Sequence, residues 1–344
     1  MNIPIHPLDE QAQQAARARQ ARLTKPAGAL GQLEAIAIAL AGVQGRVCPE
    51  IARPWISVFA ADHGVVAEGV SAFPQAVTAQ MMLNFLSGGA AISVLARHVG
   101  ASLEVVDVGV AAELAQAKGL INAKVASGTA NLAHTAAMTS DQLRQALQVG
   151  EQAVQRAQAA GADLFIGGEM GIGNTTAATA VIAALTGASA AEIVGAGTGV
   201  DEAGRARKAA VIERALARLD KEADAMTAMQ EVGGLELAAL MGAYLACGQV
   251  GLPVVVDGVI AAAAALAACC VAPELKGWLL WGHRSEEPAQ QAVFAALSVR
   301  PLLDLEMRLG EGSGAAMAVP VIQLACRLHG EMATFDEAGV SDAH

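Results

Sequence analysis

Residues 163–178, DLFIGGEMGIGNTTAA, leave the chain few folds to choose from. The apolar run Leu164-Phe165-Ile166 breaks into Gly167-Gly168-Glu169-Met170-Gly171-Ile172-Gly173, and Asn174-Thr175-Thr176 then opens an apolar helix. Glycine has no Cβ, so this density permits a sharp turn and a close approach of the backbone to a ligand. Asn and Thr at the helix entry, with free N–H groups and the positive end of the helix dipole, suit a phosphate. A bare strand-to-helix turn has the same local sequence, so the stretch alone leaves both readings open.

The same pattern recurs along the chain. The apolar run at 55–60 (WISVFA) ends in Ala61-Asp62-His63-Gly64, that at 103–106 in Asp107-Val108-Gly109, and that at 254–256 in Asp257-Gly258. Ile193-Val194 leads to Gly195-Ala196-Gly197-Thr198-Gly199, 278–281 to Gly282-His283-Arg284-Ser285, and 302–305 to Gly310-Glu311-Gly312-Ser313-Gly314. Helical patterns lie between them, at 76–99, 141–160, 203–229 and 235–249. Short apolar runs alternating with longer helices predict βαβ units and an α/β fold, a mainly parallel, Rossmann-like sheet flanked by helices. Ligands of such sheets bind beyond the carboxyl ends of the strands, where all these polar loops fall. Residues 8–23 and 32–43 read as helices around the turn Lys25-Pro26-Ala27-Gly28-Ala29-Leu30-Gly31. The tail is helical from 313 to 330. We expect an α/β catalytic domain at 31–312 and a small helical domain made of 1–30 plus 313–344.

Composition removes several function classes. A net charge of −11 without a basic cluster argues against nucleic acid as a partner. Mean hydropathy is +0.43, yet the longest charge-free apolar run, 258–272, is shorter than the roughly 18–20 residues of a spanning helix. It reads as a buried core helix, with no membrane partner. The start MNIPIHPLDEQ lacks the pattern of a signal peptide, and a cytoplasmic location is expected. Five cysteines without CxxC spacing point to neither a disulfide framework nor zinc; adjacent Cys269 and Cys270 read as small core fillers. Seven histidines show no ligand spacing, and no metal or other cofactor is expected.

Three carboxylates and one loop carry candidate chemistry. Glu311, between two glycines, is the one large side chain of its loop, placed either as a general base or as a solvated residue near a helix N-terminus. Asp257 either contacts ribose hydroxyls or caps the 258–272 helix, and the cap is preferred. Asp62-His63 lacks a neighbouring nucleophile and reads as a loop brace. The 195–199 loop departs from GxGxxG and serves better as a phosphate loop, with Thr198, its glycine N–H groups and Lys208 as donors. There is no Walker lysine, nor the paired acids and Thr-Gly loop of enzymes that bind phosphoribosyl pyrophosphate with magnesium. A monophosphate fits.

Taken in order, Lys25–Gly31 with Leu33-Glu34, Ala60–Val65, Val77–Met81, Gly167–Thr176, Gly197–Gly199, Asp257-Gly258, Gly282–Ser285 and Arg308–Gly314 resemble the nicotinate-nucleotide–dimethylbenzimidazole phosphoribosyltransferases, over roughly residues 24–330. Ala29 stands where the family turn has Ser. The resemblance implies a small-molecule reaction. Phosphoribose moves from nicotinate mononucleotide to 5,6-dimethylbenzimidazole, giving α-ribazole 5′-phosphate and nicotinate. It implies Glu311 as catalytic base, and Gly171, Gly173, Asn174, Thr198, Gly199 and Lys208 around the 5′-phosphate. It further implies Glu169 and Ser285 on the ribose, a base slot of Phe73, Gln80, Met170 and Leu309, and a homodimer. The alternative is a non-catalytic nucleotide or cobamide-precursor binding protein of the same fold.

Overall fold

In the computed structural model, which describes residues 3–114, 117–197, 199–220 and 222–341, the apolar runs become strands. They are β1 (Pro54–Ala61), β2 (Ser102–Gly109), β3 (Leu120–Asn122), β4 (Leu164–Met170), β5 (Val254–Val256) and β6 (Leu279–Trp281). They form one parallel sheet in the order β3-β2-β1-β4-β5-β6. The chain winds outward from β1 to β3, returns to the centre at β4, and winds out the other way. β1 and β4 therefore straddle the point where strand order reverses. Both are buried along nearly their whole length, as strands covered on two faces must be, which is why they read as continuous apolar runs.

The helices follow in chain order. α1 (Glu10–Arg22), α2 (Gln32–Gln44), α3 (Ala76–Ser87) and α4 (Ala91–Val99) precede β2. α5 (Ser140–Ala159), α6 (Asn174–Thr186), α7 (Ala190–Ile193), α8 (Glu202–Leu216), α9 (Ala225–Val232) and α10 (Leu235–Val250) precede β5. α11 (Val259–Val271), α12 (Ala289–Leu297), α13 (Ser313–Glu331) and α14 (Phe335–Ala338) complete the chain. One apolar core lies between the sheet and α5, α6, α10 and α11; a second lies between the opposite face and α2, α3, α4 and α13. α11 is apolar on every side because it is buried on nearly every side, packed against α6, α10 and α12. Cys269 fills that core, but Cys270 is exposed at the helix end.

Several expectations need correction. Ile193-Val194 is no strand: Ile193 ends α7, and β5 takes the place beside β4. The 302–305 run does not join the main sheet; β8 (Leu303–Asp304) pairs with β7 (His283–Arg284) as a separate ribbon. The 203–229 pattern is two helices, because Asp224 starts α9 by accepting a hydrogen bond from the Thr227 N–H. The 76–99 pattern is also two helices. Gly88, at φ 84°, ends α3. The run is long enough as sequence to cross a membrane, but its helices of 12 and 9 residues are not.

The two ends of the chain are tied together. Leu23 bridges Thr334, the Arg19 guanidinium donates to the carbonyls of His329 (2.8 Å) and Gly330 (2.9 Å), and α2 packs between α1 and α13. α13 also covers α4 and the carboxyl-terminal half of the sheet, so it begins beside the cavity described next and ends against the N-terminal helix.

Candidate active site

Beyond the carboxyl end of β4 lies a cavity of about 400 Å³, in the crevice where doubly wound sheets bind their ligands. Its walls come from the β4–α6 turn, Gly197, the start of α11, the 283–287 loop, α3 and the 308–311 loop.

Glu311 enters this cavity on an unusual backbone. Gly310, Glu311 and Gly312 have φ of 89°, 65° and 88°, three successive left-handed residues. For a residue with a Cβ that conformation costs about 1–2 kcal/mol, and it persists only where the surroundings fix it. Asp257 does so: its Oδ2 accepts from the Gly312 N–H at 3.1 Å and its Oδ1 from the Ala315 N–H at 2.9 Å. Asp257 is thus a cap, as the sequence favours, but of α13 and not of α11, whose N-cap Gly258 has no side-chain partner. The left-handed turn lays the α13 N-terminus over the end of β5, within reach. Gly168 supports the loop from below, where a Cβ would overlap the Glu311 carbonyl oxygen.

The Glu311 side chain is 6% exposed. Its Oε2 accepts from the Ile92 N–H at 3.1 Å, in the first turn of α4. Burial pushes its pKa up, the Ile92 N–H opposes this, and the Asp257 charge adds to it. Glu169, at the end of β4, is more strongly perturbed. Burial, then the charges of Glu236 and Asp257, push it up to about 8, against the Asn174 amide and the Glu311 backbone N–H facing it. Two carboxyl groups of different proton affinity therefore share one wall of the cavity, a recurring arrangement in acid–base sites.

Of the residues assigned from the sequence, Glu311, Glu169, Gly171, Asn174, Ser285, Phe73, Met170 and Leu309 line this single cavity. Asn174 turns donors inward: its N–H donates to the Gly171 carbonyl at 3.1 Å and its side-chain amide to Glu169 Oε2. What it contributes to the cavity is the orientation of Glu169. Gly173, at φ 96°, turns the chain into α6 from behind the wall. Lys208 on α8 is buried to 1% exposure, and its Nζ donates to Thr175 Oγ1 at 3.0 Å. Gly199 sits on the outer side of its loop, with open space around it. Thr198 lies outside the described residues. Gln80 is exposed and faces away, while Val77 and Met81, one helical turn apart on α3, line the slot in its place. Asp62 and His63 are braces: Asp62 Oδ2 accepts from the Ala111 N–H at 2.8 Å, and His63 Nε2 meets Glu236 Oε1 at 2.6 Å beneath Gly171.

Sequence reasoning assigned no site role to Thr175, His283, Glu287 or Arg308 among the lining residues. Thr175 and Arg308 adjoin assigned positions and His283 and Glu287 lie two residues either side of Ser285, and only the folded loops show which neighbour faces inward.

The described geometry can be set beside known proteins. A family model for phosphoribosyltransferases matches residues 5–340. A Pseudomonas putida protein named nicotinate-nucleotide–dimethylbenzimidazole phosphoribosyltransferase is 56% identical over 338 residues, covering 98% of this chain and 96% of the relative. One of that name from Azotobacter vinelandii is 56% identical over 339 residues, with the same coverage of both chains. The crystal structure of CobT from Thermus thermophilus superposes with a TM-score of 0.94 at 51% identity, over 97% of this chain and all of that one.

Proposed function

The chain belongs to the family of nicotinate-nucleotide–dimethylbenzimidazole phosphoribosyltransferases, and on that premise we propose how its own residues perform the transfer. It moves phosphoribose from nicotinate mononucleotide to 5,6-dimethylbenzimidazole, giving nicotinate and α-ribazole 5′-phosphate. One observation carries the assignment of roles: a single cavity holds two perturbed carboxyl groups beside the β4–α6 turn and opens through an apolar rim.

Glu311 is the base. Its Oε2 is held by Ile92, which leaves Oε1 to take the benzimidazole N–H proton while the other ring nitrogen attacks C1′. The C1′–N bond to nicotinate breaks as the new bond forms on the opposite face, so β becomes α. Nicotinate departs from a pyridinium and takes the bonding pair, becoming neutral at nitrogen; it needs no general acid. The oxocarbenium-like transition state gains from negative charge nearby, and Glu169, poised near pH 8, ionises more readily beside a bound pyridinium. The β4–α6 turn, Lys208 and the Gly197 backbone hold the 5′-phosphate, and Phe73, Met170, Val77, Met81 and Leu309 flank the flat acceptor. Holding both reactants in line supplies much of the remaining acceleration.

The test incubates the protein with nicotinate mononucleotide and a panel of aromatic bases, with chromatography of nicotinate and of the anomer formed. Release of nicotinate with a purely α product is the expected result. Nucleotide binding without nicotinate release, whatever the base, would make the chain a binding protein of the same fold. The reading extends to a homodimer: Val94 on α4 and Met317 and Leu324 on α13 are apolar and exposed, and sedimentation would show a monomer if nothing covers them.

A further inference from the structure

The phosphate end of the cavity contains an acid that the reaction above does not use. Glu287 follows Ser285, whose Oγ accepts from the Glu287 N–H at 3.2 Å. Its side chain is 6% exposed and lines the cavity. Its Oε1 accepts from the Gly197 N–H at 2.8 Å, and the other oxygen lies so close to Gly195 that a Cβ there would overlap it. Lys208 reaches the same loop from the other side: a Cβ on Gly197 would lie 2.8 Å from its Nζ and 2.8 Å from Thr175 Oγ1. The ammonium is almost fully buried with one hydroxyl as hydrogen-bond partner, and no carboxylate lies within 4.0 Å of it among the described residues. A buried cation with donors to spare calls for an anion. The carboxylate nearest to serving is Glu287, whose charge opposes the effect of burial on Lys208.

We propose that Glu287 is an affinity-setting residue that stands in for the nucleotide's 5′-phosphate: it holds the Gly197 N–H when the cavity is empty and yields that donor when a phosphate monoester enters between the loop and Lys208. This rests on the phosphate reading of the 195–199 loop and Lys208 given above. The phosphate takes no part in the bond exchange, so whatever it gains in binding it gains equally in substrate and product. An acid that opposes it limits how firmly the product nucleotide is retained, while the empty loop keeps its shape.

Calorimetry of the intact protein with inorganic phosphate tests the proposal. Glu287→Gln keeps an oxygen for the Gly197 N–H and removes the charge. It should bind phosphate roughly tenfold more tightly, the size of one like-charge repulsion across a partly screened site. Glu287→Ala should also bind more tightly, although it loses the loop contact; a plain brace would make it bind more weakly. Nicotinate riboside, which has no phosphate, should bind parent and Glu287→Gln alike. Lys208→Met should lose phosphate affinity. If Lys208→Met binds phosphate as the parent does, the phosphate end is misassigned and both readings fall. If Lys208→Met loses phosphate but neither Glu287 variant binds it more tightly, Glu287 is a structural brace and this proposal alone falls.

Discussion

The two ends of the cavity are built on opposite plans. At the closed end the groups that carry the chemistry are each tied to another: Asp257 holds Gly312, Ile92 holds Glu311, Asn174 holds Glu169 and Thr175 holds Lys208. At the open end Phe73 and Leu309 are 51% and 57% exposed; their side chains are apolar, and Phe73 is tied through its backbone to the Ser71 hydroxyl. Fixed dipoles cost no reorganisation during reaction, whereas an unsupported apolar rim adapts to flat molecules of different outline. On the placement proposed above, the contrast teaches that the sugar and its phosphate meet a rigid receptor and the acceptor base a tolerant one.

The largest expected effect lies at the rigid end. Glu311→Gln should lower kcat by about 10²–10⁴ while nucleotide binding is retained, measured by single-turnover assay beside calorimetry. A near-normal kcat would place the base elsewhere. Next comes Gly168→Ala, whose methyl would displace the Glu311 carbonyl. A shift near 1 Å at a reacting group costs roughly 10² in rate, so kcat should fall by about that factor, and the melting temperature should drop as well because the clash is with backbone atoms. At the tolerant end, Phe73→Ala should alter the preference between methylated and unmethylated benzimidazole by about tenfold in kcat/KM, the low end of the roughly 10–200-fold that a buried methyl contact commands, because Phe73 is half exposed. A hundredfold change would mean that the rim is as rigid as the floor.

The smallest effect concerns stability. In the unfolded chain Glu169 ionises above its model value of 4.5, whereas in the fold it keeps its proton until about 8. Its contribution favours the fold below pH 4.5 and is lost as pH rises through 8, because the unfolded chain then binds fewer protons. Glu169→Gln should flatten the fall in melting temperature between about pH 4.5 and pH 8. An unchanged slope would mean that Glu169 is already ionised in the fold.

The same division governs what the sequence made legible. Strand runs, glycine turns and the acid between Gly310 and Gly312 are local signals, and they pointed to the parallel sheet and to the residues at its carboxyl ends. Pairing across the fold is not local. Nothing near Asp257 in sequence says that its partner is α13, 55 residues on. Ile193-Val194 has strand composition but lies where the sheet has no vacancy. On α3 a helix repeat narrows the inward set to one face, but Gln80 and Met81 are neighbours whose roles are settled only by how that helix is rotated against β4. Glu287 went unassigned because an acid at a phosphate end contradicts simple charge matching.

The interruption between α3 and α4 has a chemical corollary. In an unbroken helix the amide proton of Ile92 would be spent on the carbonyl four residues back, that of Gly88. Because α3 stops at Gly88 and α4 begins afresh at Ala91, that proton is unclaimed within the helix and points to the Glu311 carboxylate. Three residues of slack thus supply a donor that no side chain had to provide, and splicing the pair into one rod would leave the carboxylate without its anchor.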